Sequence, residues 1–409
     1  MDRQLSRPGA SDSPGRTANP QILLLTAALF LVGTNAFVIA GVLPDVAHSL
    51  GVPMVRVGYA LTAYAVVVAL ISPTMSRVLA PVSRVTVMAA GMLVISAGTL
   101  ITALGPNFSW FVVGRVVAAV GAAALVPTAF AVTPTLVPED RRGRALAFAG
   151  LGFAVALAVG SPIGTALATV SGWRVTLAAL AGCATVMALL MPPVLSAAES
   201  TRVAVAVPRL RSLASVDLVM LLVTRLLMTA AFQMVYIYSA FVVHDFTHGD
   251  GAKLAILMSA YGFGGVFGGI AGGWLSDIRG TGRTGVGALL ALVLVLAALA
   301  GSRELLSAAA AFLAWGFSVS MAGVPQQHRL VELRPEHSSA TLAWNSTAMY
   351  VGLAIAPVVG GLLVPHGPGT VVLGGATTSA LALLCFALSI PRVRGALSLR
   401  RSGTVGDAD

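Results

Sequence analysis

Two arginines stand where arginine is rare. Arg115 and Arg225 both fall inside long apolar runs, and a cation at the centre of a membrane span costs roughly 2.5–3.5 kcal/mol on insertion scales. At 1.5 Å of helix rise per residue, Arg115 lies about 10 Å and Arg225 about 18 Å inside its run. Such a side chain faces a partner, a cavity or the interior of a bundle. Its planar fork of donors matches the oxygens of a carboxylate, phenolate or phosphate. No Asp or Glu sits near the middle of any apolar run to neutralise the pair; Asp45, Asp217 and Glu304 lie near run ends. The expectation is an electropositive cavity that orients an anionic group of a small molecule. The plainer alternative is that each guanidinium donates to backbone carbonyls at helix breaks and touches no ligand.

Asn35, Tyr64, Gln233, Tyr236, Tyr238, Trp344 and Asn345 are the remaining polar candidates within apolar runs. Their amides and amphipathic rings suit the lining of a mostly apolar pocket. Asn35 and Asn345 lead, because an unpaired amide is costly in hydrocarbon. Tyr236 and Tyr238 are equally compatible with an aromatic belt at the membrane interface. His244, Asp245 and His248 offer a spacing that could present two imidazoles on one helical face, as zinc requires. The Gly249-Asp250-Gly251 run beside them argues for a solvated turn. Gln326, Gln327 and His328 are read as capping a helix end. No catalytic residue, metal site or cofactor is expected: there is no P-loop, no paired-cysteine motif and no Gly-x-Ser-x-Gly elbow. Cys183 and Cys385 each stand alone in an apolar run, so no disulfide framework is expected.

The elements that must position these residues follow from composition. Of 409 residues, 57% are hydrophobic and only 10% charged, with a mean hydropathy of +0.91. Water-soluble proteins carry about 25% charged residues, so the chain belongs in a lipid bilayer. Twelve apolar runs long enough to cross it lie near 21–44, 55–80, 85–104, 109–136, 144–169, 173–195, 213–243, 254–277, 284–302, 304–328, 338–365 and 370–391. The predicted organisation is a tail over 1–20, a six-helix bundle over 21–195, a polar linker over 196–212, a second six-helix bundle over 213–391 and a tail over 392–409. The formal charge of +10 is almost wholly arginine. It reports loop orientation rather than nucleic-acid binding. With a cytoplasmic N-terminus, nineteen Lys and Arg residues fall on the inside and four, Arg56, Arg174, Lys253 and Arg303, on the outside. An even span count puts both termini in the cytoplasm.

The halves echo one another. Gly160-Ser161-Pro162-Ile163-Gly164 interrupts the fifth run, and Ala356-Pro357-Val358-Val359-Gly360-Gly361 the eleventh. Paired interruptions at matching positions mark internally duplicated carriers. The plainer explanation is close helix packing through small residues.

Four stretches occur in order along the chain: Gly33-Thr34-Asn35-Ala36-Phe37-Val38-Ile39-Ala40-Gly41 with Leu43-Pro44-Asp45 and Leu50-Gly51, then Arg115 with Gly121 six residues on, then the Gly160–Gly164 element with Gly172-Trp173-Arg174, and finally Gly273-Trp274-Leu275-Ser276-Asp277-Ile278-Arg279-Gly280. Together they resemble the major facilitator superfamily over residues 20–392, in particular its bacterial drug and sugar efflux carriers of the chloramphenicol-resistance type. The resemblance implies an all-α membrane fold of two pseudo-symmetric six-helix bundles. It implies a secondary active exporter in the cell inner membrane, acting by alternating access on a small amphipathic metabolite or antibiotic, and working as a monomer. Asp277, Arg279 and Arg283 would form the inner gate, Gly160, Pro162 and Gly164 would be further gating residues, and Arg115 and Arg225 could meet in the central cavity that spans one, four, seven and ten surround in that fold. Proton or ion coupling is also implied, but two departures bear on it. Ala36 stands where relatives often carry a glutamate, and Ser72-Pro73-Thr74-Met75-Ser76-Arg77 through Arg84 lacks the acid of the first-half gating signature. These departures, with Arg225, motivate an alternative: a membrane-embedded enzyme or non-transporting binding protein on the same fold, acting on a hydrophobic biosynthetic intermediate.

Overall fold

The structure is a computed structural model, and it describes residues 19–79, 81–195 and 215–403. The linker expected at 196–212, most of the tail expected at 1–20 and the last residues of the tail at 392–409 lie outside the described residues. Among the described residues, twelve helices are long and apolar enough to cross a membrane. They are α1 (Pro20–Gly41), α2 (Met54–Val78), α3 (Arg84–Leu104), α4 (Phe108–Val132), α5 (Glu139–Ser171) and α6 (Trp173–Leu195) in the first half. The second half holds α7 (Val216–Ile237), α8 (Gly251–Arg279), α9 (Thr281–Ala300), α10 (Leu305–Leu333), α11 (Ser338–Leu363) and α12 (Pro368–Gly403).

Local sequence explains where the helices start. Asn19, Ser83, Asn107, Ser215 and Asp250 each accept a hydrogen bond from a first-turn backbone N–H, satisfying donors that the helix itself leaves free. The Gly160 interruption takes a definite form: α5 is α-helical over Arg142–Val155, π-helical over Ala156–Gly160 and α-helical again over Ser161–Ser171. Pro162 enters at the first turn of the resumed helix, where its missing N–H is harmless. α11, by contrast, absorbs Pro357 within a continuous helix.

Three expected C-terminal helix ends differ by five residues or more. α12 runs on to Gly403, twelve residues into the expected tail. α7 ends at Ile237 rather than running to 243, and two short turns, Ser239–Val242 and His244–Thr247, follow it. α10 runs on to Leu333, five residues beyond the expected 328. The residues Gln326, Gln327 and His328 looked like an end because three polar side chains stand in a row. In the structure Gln326 and Arg329 are buried on the inward stripe of a continuing helix while Gln327 and His328 are exposed.

Small residues set the packing. Gly91 and Gly98 of α3 lie against Gly121 and Gly114 of α4, and Gly264, Gly268 and Gly272 of α8 lie against the backbone of Leu313, Phe317 and Met321 in α10. Without water to drive apolar burial, such close approach supplies dispersion contact in a bilayer.

The halves meet toward one face of the bundle, the face opposite the start of α1, here called distal. Four hydrogen bonds link the halves there: Thr62 Oγ1 donates to Ala354 O at 2.9 Å, Tyr236 Oη to Ser161 Oγ at 3.2 Å, Tyr238 Oη to Pro357 O at 2.8 Å, and Thr165 Oγ1 to Met258 Sδ at 3.8 Å. One hydrophobic cluster runs across both halves in this region, joining Val38, Leu43 and Trp173 to Tyr236, Tyr261 and Trp315. A second cluster, around Leu25, Met88, Leu125 and Met191, has buried residues of the first half alone. The bundle is therefore sealed distally by packed side chains.

Candidate functional site

Asn35 is the hub of the first-half polar cluster. It is 1% exposed on α1. Its amide donates to Thr99 Oγ1 on α3 at 2.6 Å, and its backbone and side-chain oxygens both accept from Arg115 Nη1 on α4 at 3.0 Å. Thr99 passes its own proton to Ile95 O at 2.7 Å. The Arg115 guanidinium also lies 4.6 Å from the centroid of the Tyr64 ring on α2, a distance at which the ring's negative face attracts a cation. Yet Arg115, 1% exposed, has no partner for Nε or Nη2. Buried donors left unpaired cost about 1–3 kcal/mol each, more when charged.

The second-half cluster has a different build. Gln326 on α10 is fully buried and donates through Nε2 to Leu221 O on α7 at 3.1 Å and to Asn345 Oδ1 on α11 at 3.0 Å. Arg225 of α7 is half-buried. Its Nη2 lies 3.1 Å from Met349 Sδ on α11, its Nη1 passes beside Gly323 on α10, and its Nε has no partner. Arg329 on α10, counted by sequence among the cytoplasmic loop cations, is 2% exposed and stacks 4.7 Å over the Phe386 ring of α12.

The contacts of the two arginines fall in separate halves: Arg115 is held by residues of α1 and α2, and Arg225 lies against α10 and α11. Tyr64 and, from the second half, Tyr350 pack on the same first-half cluster. α7 starts at Val216, so Arg225 is nine residues, about 13 Å, inside its helix. Arg115 is seven residues, about 10 Å, from the distal start of α4. Arg141–Asp140 and Arg142–Glu139, at the start of α5, are exposed ion pairs.

Tyr236 and Tyr238 are both fully buried, which removes the aromatic-belt reading. Tyr236 lies in an aromatic cluster with Phe37, Tyr261 and Trp315, at centroid distances of 6.0, 5.3 and 6.5 Å. Tyr238 threads between Gly58 on α2 and Gly360 and Gly361 on α11, so the glycines of the Pro357 element make room for a ring. Gln233 is buried with Oε1 unpartnered, and half-buried Trp344 has Nε1 unpartnered.

Asp277, Arg279 and Arg283 are exposed at the terminal face, around a turn that needs Gly280 at φ +83°. Gly160 and Gly164 face Thr34 and Val38 of α1, so they, with Pro162, sit at the α1–α5 contact. His248 adopts a left-handed conformation, φ 55°, beside Gly249, and Asp250 caps α8, which is the geometry of a turn. Among the described residues no three His, Cys, Asp or Glu side chains are grouped to hold a metal. Asp45 stays outside α1 on the short helix Leu43–Ser49; partial burial raises its carboxyl above the ordinary range and His48 opposes that rise.

Sequence reasoning did not single out Thr99, Tyr350 or Met349, and it read Gln326 as a helix cap rather than as a buried hydrogen-bonding residue. Gln326 carried a signal: with Ala322, Pro325, Arg329, Leu330 and Leu333 it forms one buried helical stripe. Thr99 carried none, being one hydroxyl in an ordinary apolar run.

Twelve spans in two halves, with polar clusters buried in both, define a multi-pass membrane carrier. The sequence pattern of the Major Facilitator Superfamily matches residues 25–342, and the chain belongs to that family of secondary transporters. It is 28% identical over 353 residues to a chloramphenicol resistance protein of Streptomyces lividans, covering 85% of this chain and 90% of that one. It is 26% identical to the inner membrane transport protein YdhP of Escherichia coli (strain K12), covering 91% and 96%. A crystal structure of a bacterial homolog of the human lysosomal transporter Spinster, inward-facing and unoccupied, superposes with a TM-score of 0.74 at 15% identity, covering 94% of this chain and 99% of that one.

Proposed function

We propose that this protein exports a small amphipathic anion, a metabolite or an antibiotic, by rocking its halves about a central site. Two guanidiniums carry the reading: Arg115 and Arg225 keep unpartnered N–H donors inside the bundle, without a carboxylate to neutralise them. Arg115, pinned by Asn35 and Tyr64, supplies a fixed positive field. Arg225, softly held by a thioether, is free to turn its fork onto a ligand. Tyr64, Tyr236, Tyr238, Gln233, Trp344 and Asn345 supply amphipathic walls and hydrogen-bonding edges. With both termini cytoplasmic, the distal seal makes this an inward-facing state, and the Asp277, Arg279 and Arg283 turn engages when the inner side closes.

Calorimetry on the purified protein tests the reading, with naphthalene-1-sulfonate as anionic probe and chloramphenicol as neutral comparator. The sulfonate should bind more tightly than chloramphenicol. Arg225→Gln should weaken the sulfonate about 10-fold or more, since a hydrogen bond to a charged group contributes about 1.5–3 kcal/mol. Arg225→Lys, which keeps charge but loses the fork, should fall between. Sulfonate affinity unchanged in Arg225→Gln, or neutral drug preferred by the parent, overturns the anion site.

A further inference from the structure

Among the described residues, every acidic residue in a span lies at a helix end. Glu139 and Asp140 open α5, Asp217 is the second residue of α7, Asp277 the third from the end of α8, and Glu332 the second from the end of α10. The histidines follow suit. His366 closes the eleventh span, and His328, near the end of α10, is exposed.

The groups facing each central arginine complete the inventory. Around Arg115, α1 contributes Asn35, α3 contributes Thr99 and α2 contributes Tyr64. Around Arg225, the titratable and charged residues of the packed helices are Asp217 and Tyr236 on α7, His328, Arg329 and Glu332 on α10, Tyr350 on α11, and Cys385 and the terminal arginines on α12. Among the described residues this leaves guanidiniums, phenols and the two thiols Cys183 and Cys385 away from the helix ends, and no carboxylate or imidazole that could take up and release a proton within the cycle.

That inventory bears on the charge moved per cycle. A carrier that returns empty with the protons it held when loaded has moved only its ligand's charge. We infer that this protein is an electrogenic anion carrier, in which the ligand crosses without a counter-moving proton and the membrane potential, negative inside, drives it out. The inference rests on the anionic-ligand reading above and adds the energy source. The fixed guanidiniums give the anion a station inside the bilayer, and the potential supplies direction. At 100 mV a single negative charge is worth about 2.3 kcal/mol, an outside-to-inside ratio of about 50.

The experiment uses the full chain in proteoliposomes loaded with radiolabelled naphthalene-1-sulfonate, whose charge is fixed across the pH range. A potassium gradient with valinomycin sets 100 mV, negative inside; a separate arm sets a one-unit pH gradient at zero potential, with entrapped pyranine reporting protons. The expected result is a distribution shifted toward 50-fold by the potential, less than 2-fold by the pH gradient, and no pyranine response to sulfonate. A pH-driven distribution with matching proton flux overturns the inference and leaves the anionic-ligand reading standing. Movement of chloramphenicol but not sulfonate overturns both, as does the absence of any flux above protein-free vesicles.

Discussion

Asn35 has more to lose than any other polar residue in the first half. Its replacement by leucine leaves Arg115 Nη1 without either the side-chain acceptor or the geometry that favours the backbone one, and leaves Thr99 with one bond fewer. Unfolding in detergent should become easier by about 1–3 kcal/mol, the usual cost of an orphaned buried partner. Thr99→Val deletes a hydroxyl and leaves the Arg115–Asn35 contact in place, so it should cost about 0.5–1.5 kcal/mol. Thermal denaturation of the two variants ranks them directly, and Thr99→Val proving the more damaging would remove Asn35 from the hub. At this scale the sequence was informative where residue type alone is decisive. A buried Arg or Asn in an apolar run announces itself through desolvation cost, and Arg115, Asn35 and Asn345 are indeed buried. It was silent about pairing. Nothing in the spacing of 35, 64, 99 and 115 says that four different helices bring them together, because that depends on the register of each helix against the next. The same silence made the two arginines look like neighbours when each is held by its own half.

Helices were legible because their period is local. The twelve apolar runs map one-to-one onto α1–α12, while the errors fall where polar residues mimic an end, as at Gln326, or where apolar residues continue past one, as after Ile237. The Gly/Pro interruptions were visible as such, but their form was not: one became a π-turn in α5 and the other a proline within α11. What the glycines do between helices gives a sharper expectation. A Cβ on Gly262 of α8 would meet the backbone of Ala158 in the α5 π-turn, across the two halves, whereas one on Gly269, two turns along the same helix, meets nothing within 4 Å. Gly262→Leu should therefore wedge α5 from α8 and loosen the distal seal. Spin labels at Val170 and Ala252, both exposed near the distal helix ends, should move apart by several Å in Gly262→Leu, on the order of one side-chain layer. They should keep the parent distance in Gly269→Leu. Equal distances in all three proteins would mean that the α5–α8 contact does not set the distal closure.

At the scale of the whole molecule, orientation decides what the distal seal means. The structure puts the start of α1 and the end of the twelfth span on one face and the α9–α10 turn on the other, but a bundle of helices has no intrinsic inside. The arginine distribution supplies it. The sequence-derived topology assigns nineteen positive charges to the terminal side and four to the distal side, and Arg329 leaves the nineteen because it is buried against Phe386. Eighteen against four still favours retention of the terminal face in the cytoplasm, since Lys and Arg in short loops resist translocation. The orientation can be read by single cysteines in a Cys183→Ser, Cys385→Ser background, which removes the native thiols. In intact cells an impermeant maleimide should label Arg303→Cys on the distal turn and spare Ser200→Cys and Val405→Cys until the membrane is opened. The reverse pattern would turn the molecule over. The distal seal would then close the cytoplasmic side, and the same potential that expels an anion from one orientation would still act outward. Only the resting state, not the direction of drive, would change, because that direction depends on the ligand's charge and the sign of the potential rather than on which half-channel is open.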